Sequence, residues 1–224
     1  MLLASELDNL EEQIDSIKME LRRADRDAVS KELGPRRRAQ RIKAFSIVWT
    51  CASFEDFFKS SLQSLILEVQ SSVSSIIELA PCYMTLCHAN HFESISDHEK
   101  TGHEKWKYRL DISREVIENT SPNLEPLNLP IDGSTVRSEH LSHVWGFFGF
   151  PRYHFPNSNQ SYPVTMNSLA DDRNDIAHGD TTPDEYGRNS SVEQIVRKIE
   201  RIDTISVHIC LSIENYLNNE DFLR

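Results

Sequence analysis

The chain has 224 residues, 38% of them hydrophobic and 26% charged, with a formal net charge of −11. That mixture can bury a core, while the acidic balance excludes broad nucleic-acid binding over the whole surface and leaves room only for a local basic site. Seven glycines and long stretches free of proline lean the composition toward helix, and no run of eighteen apolar residues offers a membrane span.

Met1-Leu2-Leu3-Ala4 runs directly into Glu6, Asp8, Glu11 and Glu12, unlike the basic start and longer apolar stretch of a secretory signal. The four cysteines, Cys51, Cys82, Cys87 and Cys210, contain no C-x-x-C pair. Cys51 and Cys210 fall in apolar helical patterns, where a free thiol behaves as a small hydrophobe, so a reducing cytoplasm is the expected location.

From Leu3 to Leu21 the apolar residues Leu3, Leu7, Leu10, Ile14, Ile17 and Leu21 step alternately by four and three, a heptad seam over nearly three repeats. Such a helix either lies on its own domain or pairs with a second chain, and three heptads leave both open. Gly34-Pro35 reads as a break, which separates an N-terminal arm (1–34) from a helical domain (35–224). A basic run follows, Arg36, Arg37, Arg38, Arg41 and Lys43, with net +5 over eight residues. Such a run is either the solvated start of a helix or, since a helix N-terminus is an unfavourable place for cations, a site for phosphate or an acidic partner.

The run enters a long helix through about Glu68 with an apolar stripe at Phe45, Val48, Ala52, Phe58, Leu62, Leu65 and Val69. Glu55 falls on that stripe, where a carboxylate is costly unless it is paired, most often with an arginine, or functional. Pro81 starts another helix through about Phe92, and a weaker one spans about Glu104 to Glu118. Pro122, Pro126, Pro130 and Gly133 mark a loop, after which Ser134 is placed to cap a helix carrying Val136, Leu141, Val144, Trp145 and Phe148. A second, aromatic loop covers 150–165; within it Arg152-Tyr153-His154-Phe155, with Tyr162, either anchors the loop to the core or stacks unpaired bases. A helix over 166–178 and a polar loop follow. Ser191-Val192-Glu193-Gln194 then reads as a capping box opening a last helix with Ile195, Ile199, Ile202, Ile209, Ile213 and Tyr216 on its core face. Without strand alternation, the expectation is an all-α bundle with long connections.

Two constellations carry chemistry. Cys82, Cys87, His88, His91, His98 and His103 are the densest set of metal-ligating residues, but C-x4-C-H-x2-H matches no standard zinc module, and structural or solvated roles are favoured. The second is Arg173-Asn174-Asp175-Ile176-Ala177-His178-Gly179. Cleaving RNA without a metal requires a base for the 2′-hydroxyl, an acid for the leaving 5′-oxygen and positive charge at phosphorus. Histidine titrates near neutrality, and arginine offers paired donors to phosphate oxygens. One histidine is one short of a base and an acid, so two copies of the helix about a two-fold axis are required. Arg137 and His143 form a similarly spaced pair, but no glycine follows and an apolar run does, so they read as the start of a core helix.

In this context the sequence resembles the HEPN superfamily (higher eukaryotes and prokaryotes nucleotide-binding domain), whose ribonuclease members carry R-x4–6-H, often with a polar residue after the arginine. Arg173, Asn174 and His178 match position by position. Ile47-Val-Trp-Thr-Cys-Ala-Ser-Phe-Glu-Asp-Phe-Phe58 resembles the long early helix of subgroups linked to RNA-ligase-associated phosphatase systems and other prokaryotic conflict systems. There an acidic residue approaches the Arg–His pair, and Glu55 is its match. The resemblance covers about residues 38 to 218. It implies a four- or five-helix bundle, here with an N-terminal heptad helix and long insertions. It further implies a homodimer with a composite, metal-independent endoribonuclease site leaving 2′,3′-cyclic phosphate and 5′-hydroxyl ends, and no cofactor. Arg173, His178, Asn174 and Glu55 would form the site; Arg36, Arg37, Arg38, Arg41 and Tyr153 are candidates for holding RNA. An antitoxin or another defence protein is the implied partner, and no membrane. Some members have lost activity and serve as scaffolds, so the alternative is an inactive helical module that binds a protein.

Overall fold

The computed structural model describes residues 2–118, 120–124, 135–151, 153–156 and 161–224. Among them the regular structure is helical: α1 (Ala4–Ala28), α2 (Leu33–Ser72), a 3-10 turn (Ile76–Glu78), α3 (Pro81–Cys87), α4 (Ala89–Ser96), α5 (Gly102–Ile117), α6 (Ser138–Phe148), α7 (Ser161–His178), α8 (Pro183–Asn189) and α9 (Val192–Asn218). The all-α bundle expected from the sequence is what the chain forms.

The heptad stripe of α1 faces inward. Leu3, Leu10, Ile14, Ile17 and Leu21 are buried to within 2% of completely, in one core with α2 and α9. Gln13 accepts a hydrogen bond from the Ser53 hydroxyl and Glu6 one from Ser64, fixing α1 along α2. Of the two readings of the seam, the packing on its own bundle is the one the structure takes. The chain turns at Val29–Glu32, and Gly34-Pro35 lies inside the first turn of α2 rather than breaking the chain. Proline is tolerated there because first-turn amides have no helical acceptor to lose.

Helix α2 is the spine, with α1, α7, α8 and α9 around it. Its buried residues therefore do not form one stripe: Ile47, Phe54, Phe57, Phe58, Leu62, Leu65, Ile66 and Val69 are all inside, whereas Phe45 is 56% exposed and Ala52 lies outside too. The helix expected from Pro81 to Phe92 is two, divided at His88, whose backbone (φ −112°, ψ 19°) is non-helical. Neither α4 nor α5 buries a residue completely.

Ser134, Pro126, Pro130 and Gly133 lie outside the described residues, as does Arg152. The N-terminal amides of α6 are satisfied at Arg137, which donates to His140 Nδ1 (3.0 Å), and at Ser138, which donates to Asn167 Oδ1 (3.0 Å). Helix α7 begins by Ser161, earlier than periodicity placed it. The capping box of α9 is present: Gln194 donates to Ser191 Oγ (3.1 Å) and Ser191 to Gln194 Oε1 (2.9 Å). The supposed polar loop before it contains α8, which meets α2 so closely that a Cβ at Gly187 would stand 2.1 Å from the Gln40 carbonyl oxygen.

Candidate active site

Helix α7 organises the site because it is bound on two polar flanks as well as by its core face of Thr165, Met166, Leu169, Ala170 and Ile176. Asn167, Asp171 and Asn174, spaced four and three apart, share one flank. Asn167 caps α6, Asp171 pairs with Arg137 (2.7 Å), and Asn174 accepts from the Thr135 hydroxyl (3.0 Å). Arg137, the arginine of the second Arg–His spacing, is thus a brace between α6 and α7.

The other flank carries Thr165, Ser168 and Asp172. Thr165 accepts from Arg201 (2.6 Å), and Lys198 donates to both Ser168 (2.8 Å) and Asp172 (2.6 Å). Tyr186 of α8 also donates to Asp172 (2.8 Å). A polar groove of about 390 Å³ opens there, lined among others by Asp172, Tyr186, Arg197, Lys198 and Arg201.

Arg173 is half-buried and donates from Nη1 to Asn174 Oδ1 (3.2 Å), the same oxygen that Thr135 holds. Among the described residues it makes no ion pair. Its charge bears on the Cys51 thiol of α2, which burial pushes up to about 12, with Arg173 opposing and Asp172 and Glu55 reinforcing. Glu55 and Arg173 thus both act on the Cys51 thiol at the α2–α7 contact. The arginine partner expected for Glu55 is not its ion pair; the carboxylate pairs with Lys59 one turn on (2.6 Å) and is only partly buried.

His178 is the last helical residue of α7 and is exposed. Gly179 follows with φ +83°, the left-handed conformation glycine adopts freely at helix ends, and the Thr181 amide closes the end on the Asp175 carbonyl (3.1 Å). The backbone stays helical through His178, so five residues rotate its side chain about 140° from that of Arg173. One chain presents the pair on different sides of a helix rather than face to face.

Of the basic run, Arg38 pairs with Asp27 (2.8 Å) and Arg41 with Asp184 (2.8 Å). Lys43 donates to the Gly187 (3.2 Å) and Ser190 (2.9 Å) carbonyls at the end of α8. Those three therefore hold α1 and α8 against α2; Arg36 and Arg37 make no such contact among the described residues. In the aromatic loop Phe155 is buried against Tyr162, and the Tyr153 ring is 57% exposed while its carbonyl meets His208 Nε2 (2.7 Å). Anchoring falls to Phe155 and Tyr162, leaving the Tyr153 ring outward. Sequence reasoning missed Thr135, Asp172, Tyr186 and Lys198, whose partners lie far along the chain and leave no local pattern.

The model of the RiboL-PSP-HEPN family matches residues 5–215. The chain belongs to that family. No curated protein and no solved structure matches it. The match to this HEPN family begins within α1. No helix among the described residues is long and apolar enough to cross a membrane.

Proposed function

We propose that this HEPN protein is a metal-independent endoribonuclease, the toxin or effector of a prokaryotic toxin–antitoxin or antiphage system. The observation that carries the reading is Arg173: half-buried, steadied by Asn174, without a carboxylate partner among the described residues, on the helix that ends in an exposed His178. A cation fixed in that way is matched by an anion from outside, and a phosphodiester fits its paired donors. In a dimer pairing two α7 ends, one His178 takes the proton of the ribose 2′-hydroxyl as that oxygen attacks phosphorus. The partner's His178 protonates the departing 5′-oxygen, and both arginines stabilise the charge on the crowded centre. The products are a 2′,3′-cyclic phosphate and a 5′-hydroxyl. An inactive module that only binds a protein would be favoured by a His178 packed within its own core, and the ring is exposed.

The test is RNA cleavage in EDTA by the wild type, Arg173→Ala and His178→Ala. Losses of about 10²–10⁴-fold in each variant are expected. Mixing the two variants should restore little activity, because each hybrid dimer keeps one His178 and one Arg173 where the site needs two of each. Unchanged cleavage by both variants sinks the assignment.

A further inference from the structure

Helices α4 and α5 pose a physical problem that the bundle does not solve. Neither buries a residue, and α5 packs chiefly on α4. Apolar side chains on both remain at the surface: Phe92 is 45% exposed, Trp106 68% and Ile117 81%. Two short helices with so little apolar burial need another source of cohesion. Between them His88 is 1% exposed, and neither of its ring nitrogens makes a hydrogen bond among the described residues. A buried imidazole left so costs about 1–3 kcal/mol per unsatisfied polar atom, and the one charged group beside it is the Glu115 carboxylate.

One ligand atom from each of His88, His91 and Glu115 lies within 4.8 Å of the other two. His88 Nδ1 stands 3.2 Å from Glu115 Oε2, matching the edge of about 3.3 Å of a tetrahedron with bonds of 2.0–2.1 Å. The His91 ring packs edge-on to both His88 and Tyr108 (5.9 Å each), which holds it toward the cluster. Thr101 and Glu104 cap α5 reciprocally, which fixes the start of the helix that carries Glu115.

We propose that His88, His91 and Glu115 bind a divalent zinc ion that clasps α5 to the α3–α4 junction. Two imidazoles and one carboxylate are a nitrogen–oxygen set suited to zinc, with a water in the fourth position. The burial of His88 fixes one of the three ligands in place. Cys82, Cys87, His98 and His103, the other ligands that the sequence suggested, stand outside the cluster, whereas Glu115, distant in sequence and on another helix, completes it. The clasp does not depend on the ribonuclease reading: it uses none of that site's residues and is read without RNA.

The test is metal analysis of the untagged full-length protein, equilibrated with zinc and desalted, for the wild type, His91→Ala, Glu115→Gln and the control His98→Ala. One zinc per chain is expected in the wild type and the control, with affinity at least tenfold weaker in His91→Ala and Glu115→Gln. Zinc should raise the melting temperature of the wild type and protect the 97–101 turn from proteolysis, and EDTA should reverse both; the two variants should show neither response while remaining folded by circular dichroism. No zinc in the wild type, or equal binding by His91→Ala and Glu115→Gln, overturns the proposal.

Discussion

Thr135 and Asn174 show how a position outside the motif governs a position within it. The Thr135 hydroxyl and the Arg173 guanidinium share one carboxamide oxygen, so Thr135 sets the amide that sets the arginine. Thr135→Val is expected to lower RNA cleavage by about two- to tenfold, the worth of one neutral hydrogen bond, with the fold intact and Thr135→Ser restoring the rate. Equal rates in wild type and Thr135→Val would remove Thr135 from the arginine's support. The arginine and histidine were singled out by spacing, the polar Asn174 and the following Gly179 together, since Arg137 and His143 offer a similar spacing without that context. Thr135 was not, since nothing in a thirty-nine-residue separation marks a hydrogen bond. Glu55 was legible as an unusual carboxylate, but its partner was not: Lys59 lies one helical turn away and competes locally with any distant arginine.

At the scale of elements, legibility followed the number of faces a helix buries. Helices α1 and α9 each turn one stripe inward, and the periodicity of Leu3–Leu21 and Ile195–Tyr216 placed both. Helix α2 is covered from several directions, so a single-stripe reading misplaced Phe45 and Ala52. Helix α8 was invisible: Pro183-Asp184-Glu185-Tyr186-Gly187-Arg188-Asn189 has the composition of a loop, and it is held by Lys43 bonds to two carbonyls, the Arg41–Asp184 pair and backbone contact at Gly187. Gly187→Ala is expected to cost about 1–3 kcal/mol, as overpacking does, seen as a lower denaturant midpoint. Cleavage should fall as well, because α8 anchors the chain that leaves His178. A midpoint equal to wild type would show that α8 can retreat without cost. Deleting residues 1–32 removes six side chains worth about 1.5–3 kcal/mol each, comparable to the 5–15 kcal/mol that holds a domain together. The truncated chain is expected to be unfolded by circular dichroism rather than folded without its first helix.

For the whole molecule, burial acts on the thiols in one direction. It pushes Cys51 and Cys210 up to about 12 and Cys87 to about 11, and raises Cys82 as well. Burial likewise raises Tyr83, Tyr186 and Tyr216. The unfolded chain therefore gives up these protons at lower pH than the folded one. Above about pH 9 the unfolded state binds fewer protons, so stability falls as pH rises, and the contribution complete below that point is lost toward pH 12. Denaturant midpoints measured from pH 8 to 11 should decline steadily; a flat profile would contradict the burial of these groups. Native protein at pH 8 should also react slowly with thiol reagents at Cys51 and Cys210, and quickly once denatured.

The inward seam of α1 has a consequence in time. Its leucines and isoleucines rest on α2, the next helix, and on α9, far along the chain. During synthesis α1 is complete at residue 28, while α9 begins at residue 192, so 163 residues intervene. At about 5–20 residues per second this is a wait of about 8–33 s with an apolar groove open. The nascent chain cannot close this core until α9 has emerged. A ribosome stalled anywhere upstream of α9 therefore holds a sticky, unfinished bundle, and the Arg173 helix reaches its packed position only once α9 has emerged.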